Sequence, residues 1–181
     1  LRPTPAREDT MLNWLKNHTF QDWANAPIVN DGETIIDASA AAIFDKLDLA
    51  SPRNALRERG FAFGDGNPAY DIFEASAPDL PDTPLVFEVT ESRPNKRYCY
   101  RTTPRAWSEG LAVLESASEF TIIPQKDGRH LLHLQETSLL APRLNRDQYV
   151  LERAKLSFSV FRTLARLRLN LESGVDLKDL G

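Results

Sequence analysis

The chain has a single cysteine, Cys99, and a single methionine, Met11, in 181 residues. An internal disulfide and a cysteine-based metal cluster are therefore excluded, and a reducing compartment such as the cytoplasm suits this composition. No apolar run approaches the roughly 18 residues that a membrane helix requires, so an integral membrane protein built on helices is not expected. No secretory leader pattern is present either. The chain begins at Leu1 with Met11 as its only methionine, a start compatible with removal of an upstream segment. Charge of one sign is also scarce: 22 basic residues stand against 26 acidic ones, for a net charge of −4. A dedicated nucleic-acid binder, which relies on neutralising phosphates, is not expected from that balance. The strings of the familiar enzymes are missing, with no Gly-x-Gly-x-x-Gly, Walker loop, His-Glu-x-x-His or Gly-x-Ser-x-Gly. Three histidines are present, His18, His130 and His133. The last two fall on opposite faces of an expected strand and cannot share a metal ion. No metal site and no cofactor is implied.

What is present is the composition of an ordinary globular domain, 41% hydrophobic and 27% charged, with length enough to bury a core. The longest pattern runs from about Asn145 to Ser173. Asn145 supplies an N-cap, Asp147 and Gln148 occupy the first turn, and Gly174 supplies the stop. Val150, Ala154, Phe158, Phe161 and Ala165 recur at steps of three or four, with Leu151, Leu164 and Leu171 widening the stripe. This stripe is the expected inward face, and Arg153, Arg162, Arg166 and Arg168 are placed on the other side. A helix of roughly 28 residues is about 40 Å long, and it needs a large complementary surface.

The preceding chain offers mainly strands. Residues 1–26 read as an N-terminal extension carrying a short helix near Glu8–Asn17, with Trp14, Phe20 and Trp23 packing on the body or on a second subunit of a homodimer. Pro27–Asp37 reads as a strand interrupted by the turn-prone Asn30-Asp31-Gly32. Ser39 caps a short helix that buries Ile43, Phe44 and Leu47, and Ser51-Pro52 starts a second one running to about Arg59. Beyond a glycine-rich loop the period changes to two. Strands are expected at Tyr70–Ser76, Leu85–Ser92, Arg97–Thr103, Val113–Pro124 and His130–Leu140, with Ala77–Pro84 as a proline-rich connection. Pro94-Asn95-Lys96 and Asp127-Gly128 make the turns.

A strand, two short helices, a run of antiparallel strands and one long helix form a distinctive order. Ile35-Ile36-Asp37-Ala38-Ser39, Phe87-Glu88-Val89 with Tyr98-Cys99-Tyr100, Glu119-Phe120-Thr121-Ile122-Ile123-Pro124 and Leu134-Gln135-Glu136-Thr137 together resemble the START-like (SRPBCC) superfamily, the helix-grip group that includes Bet v 1, polyketide cyclases and lipid-transfer domains. The resemblance covers roughly Pro27 to Gly174. It implies an α+β helix-grip domain over residues 27–181, in which a curved antiparallel sheet wraps the long C-terminal helix. It also implies an interior gap that holds a hydrophobic ligand.

The residues add their own candidates. Tyr70, Phe87, Tyr98, Tyr100, Trp107, Phe120, Leu134, Phe158 and Phe161 are expected around that gap, with the tyrosine hydroxyls fixing a ligand's orientation. Glu136 continues the inward phase of Leu132 and Leu134. A carboxylate there has a raised pKa fit for acid–base work, or it sits at a solvated strand end, or it pairs with an arginine of the sheet. Arg101 and Arg105 flank Trp107, as a site for an anionic headgroup or as ordinary surface arginines. Three functions follow. The first is binding or transport of a small hydrophobic or amphipathic ligand. The second is a cyclase- or dehydratase-like enzyme using Glu136 and a pocket tyrosine. The third is an interaction protein with a filled core.

Overall fold

A computed structural model describes residues 26–64, 66–106 and 111–180. The expected N-terminal helix with Trp14, Phe20 and Trp23, and the candidate ligand contact Trp107, lie outside these residues. In chain order the elements are β1 (Ile28–Ile36), α1 (Ala40–Leu47), α2 (Ala55–Glu58), β2 (Ala62–Phe63), a short turn of 3-10 helix (Pro68–Tyr70), β3 (Ile72–Ala77), β4 (Leu80–Arg93), β5 (Arg97–Pro104), β6 (Val113–Pro124), β7 (His130–Leu140) and α3 (Arg146–Ser173). The strands form one antiparallel sheet in the order β1-β7-β6-β5-β4-β3-β2. The architecture is α+β, with two short helices after the first strand and the long helix closing the concave side.

The ends of α3 follow from three residues. The Asn145 side chain accepts from the Gln148 amide at 2.9 Å, and the Gln148 side chain accepts from the Asn145 amide at 3.0 Å, a reciprocal capping box. At the other end Gly174 takes a left-handed conformation, φ 66°, and its amide caps Asn170. Ser39 caps α1 by accepting from the Ala42 amide. In the hairpin between β4 and β5, Asn95 adopts φ 63°, a conformation that asparagine tolerates better than most residues.

The inward face of α3 is the expected one only at Leu164 and Leu171. Tyr149, Val160, Leu164 and Leu167 are buried, and Leu156 and Leu171 pack beside them. Val150, Leu151, Phe158 and Phe161 are exposed, the two phenylalanines at 65% and 59%, and Ala154 and Ala165 are exposed with them. At about 100° per residue Phe158 stands opposite Leu167. The helix carries two apolar stripes, and periodicity does not say which one meets the sheet. Arg166, placed on the solvent side by the same reading, is in fact buried.

Three further differences have local causes. Asn30-Asp31-Gly32 is not a turn: β1 runs through it unbroken, and Gly32 is the point where α3 comes down on the sheet. A Cβ there would meet Val160 Cγ1 at 3.0 Å and Leu164 Cδ1 at 3.1 Å. The helix α2 starts at Ala55 with Asn54 as its cap, so Pro52 lies in the preceding turn. The proline-rich stretch is the start of β4, whose pairing with β3 shifts register between Ala75 and Ala77. Its prolines are tolerated there because the irregular pairing does not demand their missing amides. The Pro84 carbonyl accepts from the Arg105 amide.

The core forms where α1, the middle of the sheet and the C-terminal half of α3 meet, around Ile36, Ile43, Leu47, Phe87, Phe120, Leu132, Val160 and Leu164. A smaller cluster of Ile28, Leu140 and Tyr149 seals the N-terminal half of α3. No helix among the described residues is long and apolar enough to cross a membrane.

Candidate functional site

Strand register aligns the inward side chains in rows across the sheet. One row reads Asn30–Glu136–Ser118–Tyr100–Val89, from β1 through β7, β6 and β5 to β4. The next reads Ile28–Ser138–Ser116–Thr102–Phe87. Serine and threonine occupy inward positions where larger apolar residues would fill the space. A cavity of about 290 Å³ opens there, bounded by α1, α2, strands β4 to β7, α3 and the C-terminal tail at Leu177. It stands near the lower end of the roughly 300–1,000 Å³ typical of small-molecule sites. Its apolar wall includes Leu56, Phe61, Phe87, Phe120, Leu134 and Leu167, and its polar groups include Tyr100, Ser116, Ser118 and Glu136.

Of the residues expected around a gap, Phe87, Tyr100, Phe120, Leu134 and Glu136 come together on this cavity. Four others do not. Tyr70 ends the 3-10 turn at 73% exposure and does not line the cavity. Phe158 projects from the solvent side of α3, and Phe161, although exposed, lies at the edge over Gly32 of β1. Tyr98, at 2% exposure, is a structural anchor rather than a lining residue. Its hydroxyl accepts from the Leu49 amide at 3.0 Å and sits 3.4 Å from Asp48 Oδ1, tying the chain after α1 to the sheet. Burial, with the Asp48 charge adding to it, pushes the Tyr98 hydroxyl well above the usual phenol range.

Tyr100 stands among aromatic rings, with Phe87 at 5.8 Å and Phe120 at 6.2 Å between centroids. Burial is the main reason its pKa is pushed up to about 12. The Glu136 charge works in the same direction, whereas Ser118 and Arg59 oppose it. At neutral pH it is a phenol able to donate. The Glu136 carboxyl is raised above the usual carboxylate range by burial, with Ser138 working weakly against it. Ser138 Oγ is buried without a hydrogen-bond partner of good geometry. The expected alternative, pairing of Glu136 with a sheet arginine, is not found among the described residues. Arg101 pairs with Glu115 at 3.2 Å and Arg105 with Glu74 at 2.6 Å, both on the outer surface, which removes them as a headgroup site.

Chemically, the row offers a buried carboxyl and a phenol flanking an apolar space, a pair able to orient a ligand or exchange a proton with it. No cluster of His, Cys, Asp or Glu among the described residues could hold a metal ion. His130 Nδ1 is 2.9 Å from the Ala38 carbonyl, away from the cavity. Ser116, Ser118, Ser159, Thr163 and Arg59 also line the space and were not singled out in the sequence, and Arg166, expected on the outer side of α3, lines it too. Ser116 and Ser118 carried a signal nonetheless: small polar residues on the inward phase of a strand that also presents Phe120. Arg59, just past a four-residue helix, carried none.

A scan against protein-family models and a search of curated proteins give no match. Solved structures do match. DynU16, from the dynemicin biosynthetic locus, aligns at TM-score 0.60 and 14% identity over 83% of this chain and 49% of its own, so the chain spans about half of that protein's length. XoxI from Bacillus cereus aligns at TM-score 0.57 and 11% identity, covering 80% of this chain and 96% of the other. Ara h 8.0201, of the Bet v 1 family, aligns at TM-score 0.53 and 10% identity, covering 80% and 99%. At such identities the likeness is one of fold. The chain has the Bet v 1- and START-like helix-grip fold.

Proposed function

We propose that the protein binds a small hydrophobic or amphipathic molecule between its sheet and α3. Phe87, Phe120 and Leu134 cover the apolar body of the ligand, and Tyr100 and Glu136 fix its orientation. One observation carries this reading: the centre is not solidly packed, and the unfilled space is apolar with a few convergent polar groups. The test is to equilibrate the purified protein with lipid extracts of varied composition and identify by mass spectrometry what co-purifies. Enrichment of one ligand class, lost when Ser118→Phe fills the cavity, is the expected result. A protein that emerges empty from every extract contradicts it.

The row Glu136–Ser118–Tyr100 favours a second reading, a cyclase- or dehydratase-like enzyme in which Glu136 exchanges a proton and Tyr100 donates one. The fold hosts both functions and does not choose between them. Glu136→Gln separates them. Under the enzymatic reading it retains the ligand and abolishes turnover, and loss of the ligand as well points to Glu136 as a binding group.

A further inference from the structure

Three cations line the cavity, and they differ in what they already hold. The Lys46 ammonium lies against Glu58 at 2.5 and 2.6 Å. The Arg166 guanidinium donates to the Leu180 carbonyl at 3.1 and 2.6 Å, fastening the C-terminal tail over the end of α3. The Arg59 guanidinium makes no ion pair or hydrogen bond among the described residues. Its contact is the face of the Phe61 ring, 5.5 Å away, and it is half-buried. Leaving a half-buried guanidinium without an acceptor is costly, and its neighbours raise that cost. Arg162 lies one turn before Arg166 on α3, and burial together with the Arg162 charge lowers the Arg59 pKa. Arg166 is lowered in the same way, by burial and by the charges of Arg59 and Arg162. Against three guanidinium groups stands Asp79, whose charge acts weakly on Arg59 without forming an ion pair.

The one acid that lines the cavity, Glu136, forms no ion pair with Arg59, and Tyr100 feels the charge of both. The cavity is therefore polarised, with a carboxyl side on β7, a cationic side beside α2 and α3, and aromatic wall between them.

We propose that the cavity selects an amphipathic anion, a molecule with an apolar body and one carboxylate, sulfonate or phosphate group, whose charged end is held by Arg59, the unpaired guanidinium on its wall. This rests on the cavity-binding reading above and narrows it to a charge class. Two fluorescent probes of nearly one shape separate the claims: anilinonaphthalene sulfonate and its uncharged parent, phenylnaphthylamine. The full chain is titrated with each, as wild type and as Arg59→Gln, Arg162→Gln and Ser118→Phe, with circular dichroism confirming the folded state. The anionic probe is expected to bind wild type at least about tenfold more tightly than the neutral one, as a charge-assisted hydrogen bond provides. Arg59→Gln abolishes most of that preference and leaves the neutral probe unchanged, Arg162→Gln reduces it less, and Ser118→Phe weakens both probes. Equal affinity of the two probes for wild type, or a preference that survives Arg59→Gln and Arg162→Gln, overturns the anion site while leaving the binding function intact. Failure of both probes to bind wild type overturns the binding function itself.

Discussion

Glu136 on β7 and Tyr98 on β5, with β6 between them, show how two inward polar residues of one sheet do different work. Glu136 faces open space, and its carboxyl is raised by burial. A carboxyl whose folded pKa exceeds its unfolded value favours the native state while protonated. The folded protein then loses stability as pH rises from the ordinary glutamate pKa, about 4.3, through the higher folded value. Glu136→Gln, which mimics the protonated acid, should therefore raise the melting temperature at neutral pH, with the gain vanishing below about pH 4. Thermal melts of both proteins across that window check it, and a gain independent of pH contradicts the assignment. Tyr98 instead closes a structural joint. Tyr98→Phe removes the acceptor for the Leu49 amide in a buried position, and should cost about 1–3 kcal/mol in denaturant unfolding without changing probe affinity in the folded protein. The phase of Glu136 was legible in the alternation of β7. The separate roles of Tyr98 and Tyr100 were not, because both share one face of β5 and only the position of α1 decides which of them is covered.

At the scale of elements, boundaries were more legible than orientations. Asn145, Gln148 and Gly174 mark the ends of α3 through local hydrogen bonds that the sequence spells out. The face that α3 buries depends on the sheet, a partner distant in sequence. Leu156, Val160, Leu164, Leu167 and Leu171 form one acceptable stripe, Val150, Ala154, Phe158, Phe161 and Ala165 another, and at Gly32 Val160 and Leu164 of the first approach β1 most closely, with Phe161 of the second at its edge. The difference is measurable. Leu164→Ala should destabilise by about 2–5 kcal/mol, as a cavity-forming change does. Phe158→Ala should stay within about 0.5 kcal/mol, as an exposed substitution does. Comparable costs for the two would return α3 to the other face. The start of β4 was hidden for a related reason: prolines speak against a strand unless irregular pairing relieves the need for their amides, and pairing is not visible along the chain.

At the scale of the molecule, the order of elements made the helix-grip fold legible, and the cavity followed only as an implication of that fold. Volume is not written in any single segment. It arises where Ser116, Ser118 and Thr102 bring small side chains to the centre of the sheet opposite Leu167 and Thr163 of α3. The central claim is that a ligand lies in this space and not on the apolar outer face of α3. Nuclear Overhauser effects between phenylnaphthylamine and methyl groups of the protein test it most directly. The claim predicts contacts to the Leu134 and Leu167 methyls that line the cavity. Contacts confined to the exposed Val150, Leu151 and Leu169 methyls would contradict it.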